Sequence, residues 1–357
     1  KVTVVFDGMT QAVEPNDLEQ WSVTFPPRNA STKPITLEVK STNGFNRVVR
    51  DILIGDVWYL TGSTLLTSEW AYDRRNKEVE LPKTMPLVRE FCRKTKSSSF
   101  PTPRKRRFET GSGKYRSHWL SADFSKEGSG VTMFACEFAK AIDWTGVPQG
   151  FITMSSGQGG RNRQFASPLS WTSFAGVRDS KNSAFKDRVE ELFLQYPDTP
   201  IARKAAAKHV AEVKTFVRVI QESSKQGADA ATFALQAPAF PEPGKGEAVP
   251  RDTIPTYAYN WNVSPLTPMG VAGVIWVPSE SNIGERPGEY AAELEIYAKS
   301  LAKTYAMKNV QFLYAQPAEP LVEGITAPNI PGARSVTFDQ WPKSMKTIAE
   351  KLAKLSQ

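Results

Sequence analysis

The sequence predicts an α/β protein: a three-layer α/β/α sandwich around a parallel sheet, preceded by a small partial β-sandwich. Three observations carry this. From about residue 51, short continuous apolar runs alternate with amphipathic helical stretches, the pattern of strands covered on both faces. Before that point, apolar and polar residues alternate at a period of two, as in antiparallel strands with one wet face. The 357 residues, 40% hydrophobic and 23% charged, suffice for one large domain or two modest ones with a real core.

The first unit is drawn at residues 1–50, with strands expected at Val2–Phe6, Gln20–Phe25 and Ile35–Val39 between Pro, Asn, Asp and Gly turns. Val2, Val4 and Phe6 share one face; Trp21, Val23 and Phe25 share another. Three or four strands are few for an independent sandwich. The chain opens directly in Val2–Phe6 with no signal-peptide pattern, which implies a processed or incomplete N-terminus.

The second unit, 51–357, has core strands expected at Ile52–Leu60, Leu87–Cys92, Gly150–Met154, Gly273–Val277, Val310–Ala315 and Ser335–Phe338. A helix begins near Pro287 and places Tyr290, Leu294, Tyr297, Leu301 and Tyr305 on one face; the last helix does the same with Met345, Ile348, Leu352 and Leu355. Helices between parallel strands imply right-handed crossovers and helices on both faces of the sheet. A helical insertion spans about 180–250. Its first helix carries Phe185, Val189, Leu192 and Phe193. A second, beginning at Asp198 and Pro200, carries Val210, Val213, Val217 and Ile220 as far as Gly227, and a Pro-rich link (238–250) follows.

A net charge of +8 favours anionic partners such as an acidic polymer or a carbohydrate bearing acids. The excess gathers at Arg104, Lys105, Arg106 and Arg107, a solvated loop or a patch for a polyanion or protein partner. No DNA- or RNA-binding motif accompanies it, which argues against nucleic acid. No apolar run reaches the roughly 18–20 residues of a membrane span. Cys92 and Cys136 lie in apolar settings and are expected as buried free thiols. With two histidines, His118 and His209, and no zinc-type spacing, no metal or cofactor is expected.

The stretch Ile54-Gly-Asp-Val-Trp-Tyr-Leu-Thr-Gly-Ser-Thr-Leu65 runs an apolar strand into a tight turn at Gly62, as hydrolases do when presenting a nucleophile. Further words follow in order: Trp119, Phe124-Ser-Lys-Glu-Gly-Ser-Gly-Val-Thr-Met-Phe134, Val147-Pro-Gln-Gly-Phe-Ile-Thr-Met-Ser-Ser-Gly-Gln-Gly159, Trp171-Thr-Ser173 and Gly273-Val-Ile-Trp-Val-Pro-Ser-Glu-Ser-Asn282. Together they resemble the sialate O-acetylesterase family of the SGNH hydrolases, over nearly the whole chain. The resemblance implies the flavodoxin-like parallel sheet of the SGNH hydrolase fold, a carbohydrate esterase ancestry and a periplasmic or cell-surface location. In that family the first word ends Gly-Gln-Ser-Asn, with serine as nucleophile. The ungapped match puts Ser63, Thr64 and Leu65 on the last three positions. The family's Asp-x-His-Pro falls on Asp339-Gln-Trp-Pro342, with Trp341 in the histidine's place, although Asp339 also matches an acid at an earlier strand end. The oxyanion positions fall near Gly157 and Thr153; Glu280 and Asn282 remain, while Pro278 and Ser279 replace Gln-Gly.

Ester hydrolysis by this route needs a nucleophile, a base, a group orienting the base and oxyanion donors. Threonine's β-branch crowds attack at Thr64, and Ser63 is displaced around the turn. The indole ring nitrogen of Trp341 accepts no proton. His209, inside the charged insertion, is expected to be solvated, and His118 to be a packing residue. The expectation is a catalytically degenerate domain that binds glycan or serves as a structural subunit. Its crevice at the strand carboxyl ends would be lined by Ser63, Thr64, Gly157, Glu280, Asn282 and Trp341. The alternative is an active carbohydrate O-acetylesterase using Thr64 or Ser63 with another base.

Overall fold

Gly55 is where the chain steps from one sheet to another. The computed structural model describes residues 1–16, 21–69, 71, 82–94, 119–124, 130–142, 144–155, 167–180, 185, 200–228, 238, 256, 258–267, 269–284 and 286–357. Upstream of Gly55, β1 (Val2–Phe6), β2 (Met9–Val13), β3 (Ser31–Ser41) and β4 (Asn46–Ile54) form an antiparallel sheet in the order β2-β1-β3-β4. The run expected as one strand, Ile52–Leu60, is split: Ile52 to Ile54 end β4, and β5 (Asp56–Gly62) belongs to the second sheet. A Cβ at Gly55 would sit 2.0 Å from the Pro148 carbonyl oxygen, so only glycine makes this step.

The strand expected at Gln20–Phe25 is absent from the described part of that range: residues 21–30 have no regular secondary structure. Gln11 Nε2 donates to the Thr24 carbonyl at 2.7 Å, and the Phe25 ring lies 5.3 Å from that of Phe6. The alternation there serves packing beside β1 and β2 rather than a hydrogen-bonded ladder.

The second sheet adds β6 (Thr84–Lys94), β7 (Trp119–Asp123), β8 (Gln149–Ser155), β9 (Gly273–Val277), β10 (Gln311–Pro317) and β11 (Arg334–Phe338) in the order β11-β10-β9-β5-β8-β6-β7. All neighbours are parallel except β6 and β7. The edge strand β7 escapes sequence reading because it is short and lacks an apolar run; its Trp119 is 48% exposed.

Two helices, α2 (Met133–Ala141) and α7 (Lys346–Ser356), cover one face, packing Phe134, Phe138, Ile348 and Leu352 against Trp58, Leu60, Phe151 and Ile275. On the other face α6 (Pro287–Thr304) packs Tyr290, Leu294, Tyr297 and Leu301 against Tyr59, Ile152, Val274 and Trp276. The three-layer α/β/α arrangement is therefore present. Cys136 is a buried free thiol on α2, and burial, with Glu137 adding to it, pushes it up to about 12. The Cys92 side chain lies outside the described residues.

Within the insertion, α4 (Pro200–Lys225) ends before Gly227, whose φ is +85°. Its half-buried stripe is His209, Val213, Phe216 and Ile220, while Val210 and Val217 are 51% and 45% exposed. The face is thus turned by one residue from the expected valine stripe, and His209 is half-buried rather than solvated. Phe185 is buried beside Leu169, Ile296 and Val177 of α3 (Phe174–Arg178); Val189, Leu192, Phe193 and the 239–250 link lie outside the described residues. Among the described residues no helix is long and apolar enough to cross a membrane.

One buried acid ties three elements together. Glu90 in β6 is fully buried; its Oε2 accepts from the Thr132 amide at 2.6 Å and its Oε1 from Thr132 Oγ1 at 2.8 Å and from Thr153 Oγ1. Thr132 caps α2 and Thr153 lies in β8. Burial raises the Glu90 carboxyl from 4.5 to about 7, and the Thr153 hydroxyl and the Thr132 amide and hydroxyl reverse only part of that. A carboxyl raised on folding stabilises below its unfolded value and loses that contribution as pH rises through the folded one. Stability is therefore expected to fall by up to about 3 kcal/mol between pH 4.5 and pH 8. In Glu90→Gln this slope should flatten, as read from urea midpoints at the two pH values.

Candidate functional site

In an open parallel sheet, the crevice forms where neighbouring strands send their connections in opposite directions. That point lies between β5 and β9, since the chain leaves β5 toward β6 on one side and leaves β9 toward β10 on the other. Gly62 and Val277, the last residues of these strands, are in register. Gly62 has φ +117°, and a Cβ there would meet the Val277 carbonyl oxygen at 2.2 Å. The Ser63 amide then donates to that same oxygen at 2.6 Å. The turn out of β5 is pressed onto β9, backbone against backbone.

This contact decides which hydroxyl faces outward. Ser63 is 2% exposed, and its Oγ accepts from the Leu65 amide at 3.2 Å, so it braces the turn. Thr64 is exposed, has helical angles, and makes no capping bond at the start of α1 (Leu65–Ser68). Leu65 packs half-buried against the core beneath. The four-residue α1 is too short for sequence periodicity to reveal.

At the exit of β9, α5 (Glu280–Ile283) begins. Asn282 is buried, and its Oδ1 accepts from the Ser279 amide at 2.8 Å and from Ser279 Oγ at 2.7 Å. That oxygen holds the turn rather than reaching into the crevice. Glu280, in the first turn, is exposed.

Beyond β11, Asp339 is exposed. The half-buried Trp341 ring lies 5.4 Å from that of Phe338 and packs against the layer containing Tyr59 and Trp276. The chain then returns toward the β5 turn: the Met345 amide donates to Glu69 Oε2 at 2.7 Å. Glu69 also accepts from the Met133 amide through its carbonyl at 2.9 Å. One residue thus connects the end of α1 to the starts of α2 and α7. Sequence reading missed Glu69 because its partner Met345 is 276 positions away.

The structure brings Ser63, Thr64, Glu280 and Asn282 to adjoining strand ends and places Asp339 and Trp341 after β11, farther along the same edge. Gly157, His118, Arg104, Lys105, Arg106 and Arg107 lie outside the described residues. Trp119, which follows His118, opens β7, three strand spacings or about 14 Å from β5. Thr153 is occupied by Glu90. Among the described residues, no group of three or more His, Cys, Asp or Glu could hold a metal ion. The adjoining ends of β5 and β9 offer an exposed hydroxyl, Thr64, and an exposed carboxylate, Glu280, while the half-buried Trp341 indole follows β11, three strand spacings from β5.

No family model matches the chain, and no curated protein matches it. Among solved structures, a carbohydrate acetylesterase from Xanthomonas citri aligns with a TM-score of 0.62 at 20% identity, covering 99% of this chain and 67% of that one. A protein from Arabidopsis thaliana aligns over 85% of this chain and 98% of its own at 11% identity, with a TM-score of 0.36. The first likeness shows the fold: this chain is built on the same α/β framework as a carbohydrate acetylesterase.

Gly62→Ala is expected to lower stability by at least about 3 kcal/mol, combining backbone strain with the clash on Val277. Denaturant unfolding would read the loss, and a near-neutral result would contradict the close approach.

Proposed function

We propose that this chain is a binding domain on a carbohydrate-esterase fold whose hydrolytic machinery is degenerate. The observation that carries the reading is the β5 exit: Ser63 Oγ is committed to its own turn, the exposed hydroxyl is Thr64, and the segment after β11 carries Trp341. No histidine occurs in the sequence after His209, so no imidazole comes from that segment to take a proton from Thr64. Groups of a catalytic triad act as a unit, and losing one removes most of the rate.

The ligand class supported is a carbohydrate. A carboxylate such as Glu280 accepts from paired sugar hydroxyls, and the fold likeness is to a protein that acts on carbohydrate. A periplasmic or cell-surface setting and service in a larger assembly belong to the same reading.

The test has two arms. With a chromogenic acetyl ester, turnover is expected to stay at background, equal to that of Ser63→Ala and Thr64→Ala. Turnover abolished by either substitution would instead make this a working O-acetylesterase. In affinity electrophoresis through soluble polysaccharides, retention is expected and should weaken about tenfold in Glu280→Ala, the loss of a charge-assisted hydrogen bond. Equal retention of the two proteins would remove the carbohydrate assignment from this crevice.

A further inference from the structure

On the α6 face of the sheet, buried polar atoms gather without partners among the described residues. Tyr59 lies in the middle of β5, Tyr297 on α6 and Tyr305 at the end of that helix; they are 0%, 2% and 2% exposed. None of their hydroxyls has a hydrogen-bond partner among the described residues. The three are neighbours. The Tyr59 and Tyr305 rings are 6.0 Å apart, and Tyr297 belongs to the same buried cluster. Two turns pack in the same cluster, the 3₁₀ turn Pro168–Trp171 and the π-helical turn Tyr259–Val263, and these contribute two more buried atoms without a partner among the described residues, Trp171 Nε1 and Asn262 Oδ1. Tyr290, on the same face, shows the usual solution: Trp276 Nε1 donates to its hydroxyl at 2.7 Å.

Buried polar groups are nearly always paired, and where no protein atom serves, internal water does. We propose that Tyr59, Tyr297 and Tyr305 enclose a buried site for a small neutral guest that both donates and accepts hydrogen bonds, namely ordered water bridging the three phenols. The phenols are chemically suited to it. Burial pushes all three above their ordinary value, so each stays neutral and able to give one bond and take another.

Phenylalanine at each position keeps the ring and removes only the hydroxyl. Bridging water predicts that Tyr59→Phe, Tyr297→Phe and Tyr305→Phe each lower the thermal midpoint by about 1–3 °C. The triple variant should lose less than the sum, since the guest departs with its last partners. A single variant melting at or above the parent overturns the proposal, and so do three strictly additive losses. Crystallographic density for water within about 3.2 Å of at least two of the hydroxyls supports it. Density showing three dry hydroxyls, or a molecule other than water, overturns it.

Discussion

The close approach of Gly62 to the Val277 carbonyl is the constraint on which the site depends. A residue with a side chain cannot stand there, because the space is filled by backbone of the neighbouring strand. With the turn held against β9, Ser63 has one direction available and Thr64 the other. The inward hydroxyl is taken by the Leu65 amide and the outward one meets solvent. What chemistry the turn presents is therefore decided by backbone packing before any side chain is considered.

Two acids transmit that geometry to the rest of the layer. Glu69 reaches from the end of α1 to the Met345 amide, so the segment carrying Trp341 is registered against the β5 turn. Glu90 lies below, holding the cap of α2 and the Thr153 hydroxyl of β8. The two differ in cost. Glu69 is half-buried, whereas Glu90 has given up its hydration entirely for three donors, and its raised carboxyl value records that exchange. A framework braced in this way keeps its shape whether or not a proton-transfer group stands above it.

The two faces of the sheet are finished differently. The α2 and α7 side carries two buried and bonded acids among the described residues, Glu90 and, on α2, Glu137, which accepts from Lys140 at 3.1 Å; its packing is otherwise mainly apolar. The α6 face mixes large aromatic rings with hydroxyls, of which, among the described residues, Tyr290 is paired and Tyr59, Tyr297 and Tyr305 are not. Aromatic residues fill wide gaps between a twisted sheet and a single helix, but each tyrosine brings a polar atom that must be satisfied.

The sequence by itself determined what depends on local periodicity: the parallel strands, the Tyr290-to-Tyr305 stripe of α6 and the final helix. Each of these is written within about a dozen residues, because burial on one face imposes a repeat. Tertiary structure decided the rest. The alternation at Trp21–Phe25 is that of a strand, yet those residues pack beside β1 and β2 without joining a ladder. The run Ile52–Leu60 reads as one strand and is two, because Pro148 presses on Gly55. The roles of Glu69, Glu90 and the three tyrosines come from partners far along the chain. An acid or a phenol carries the same letter whether it is solvated, bonded or stranded in the core, and only packing tells these states apart.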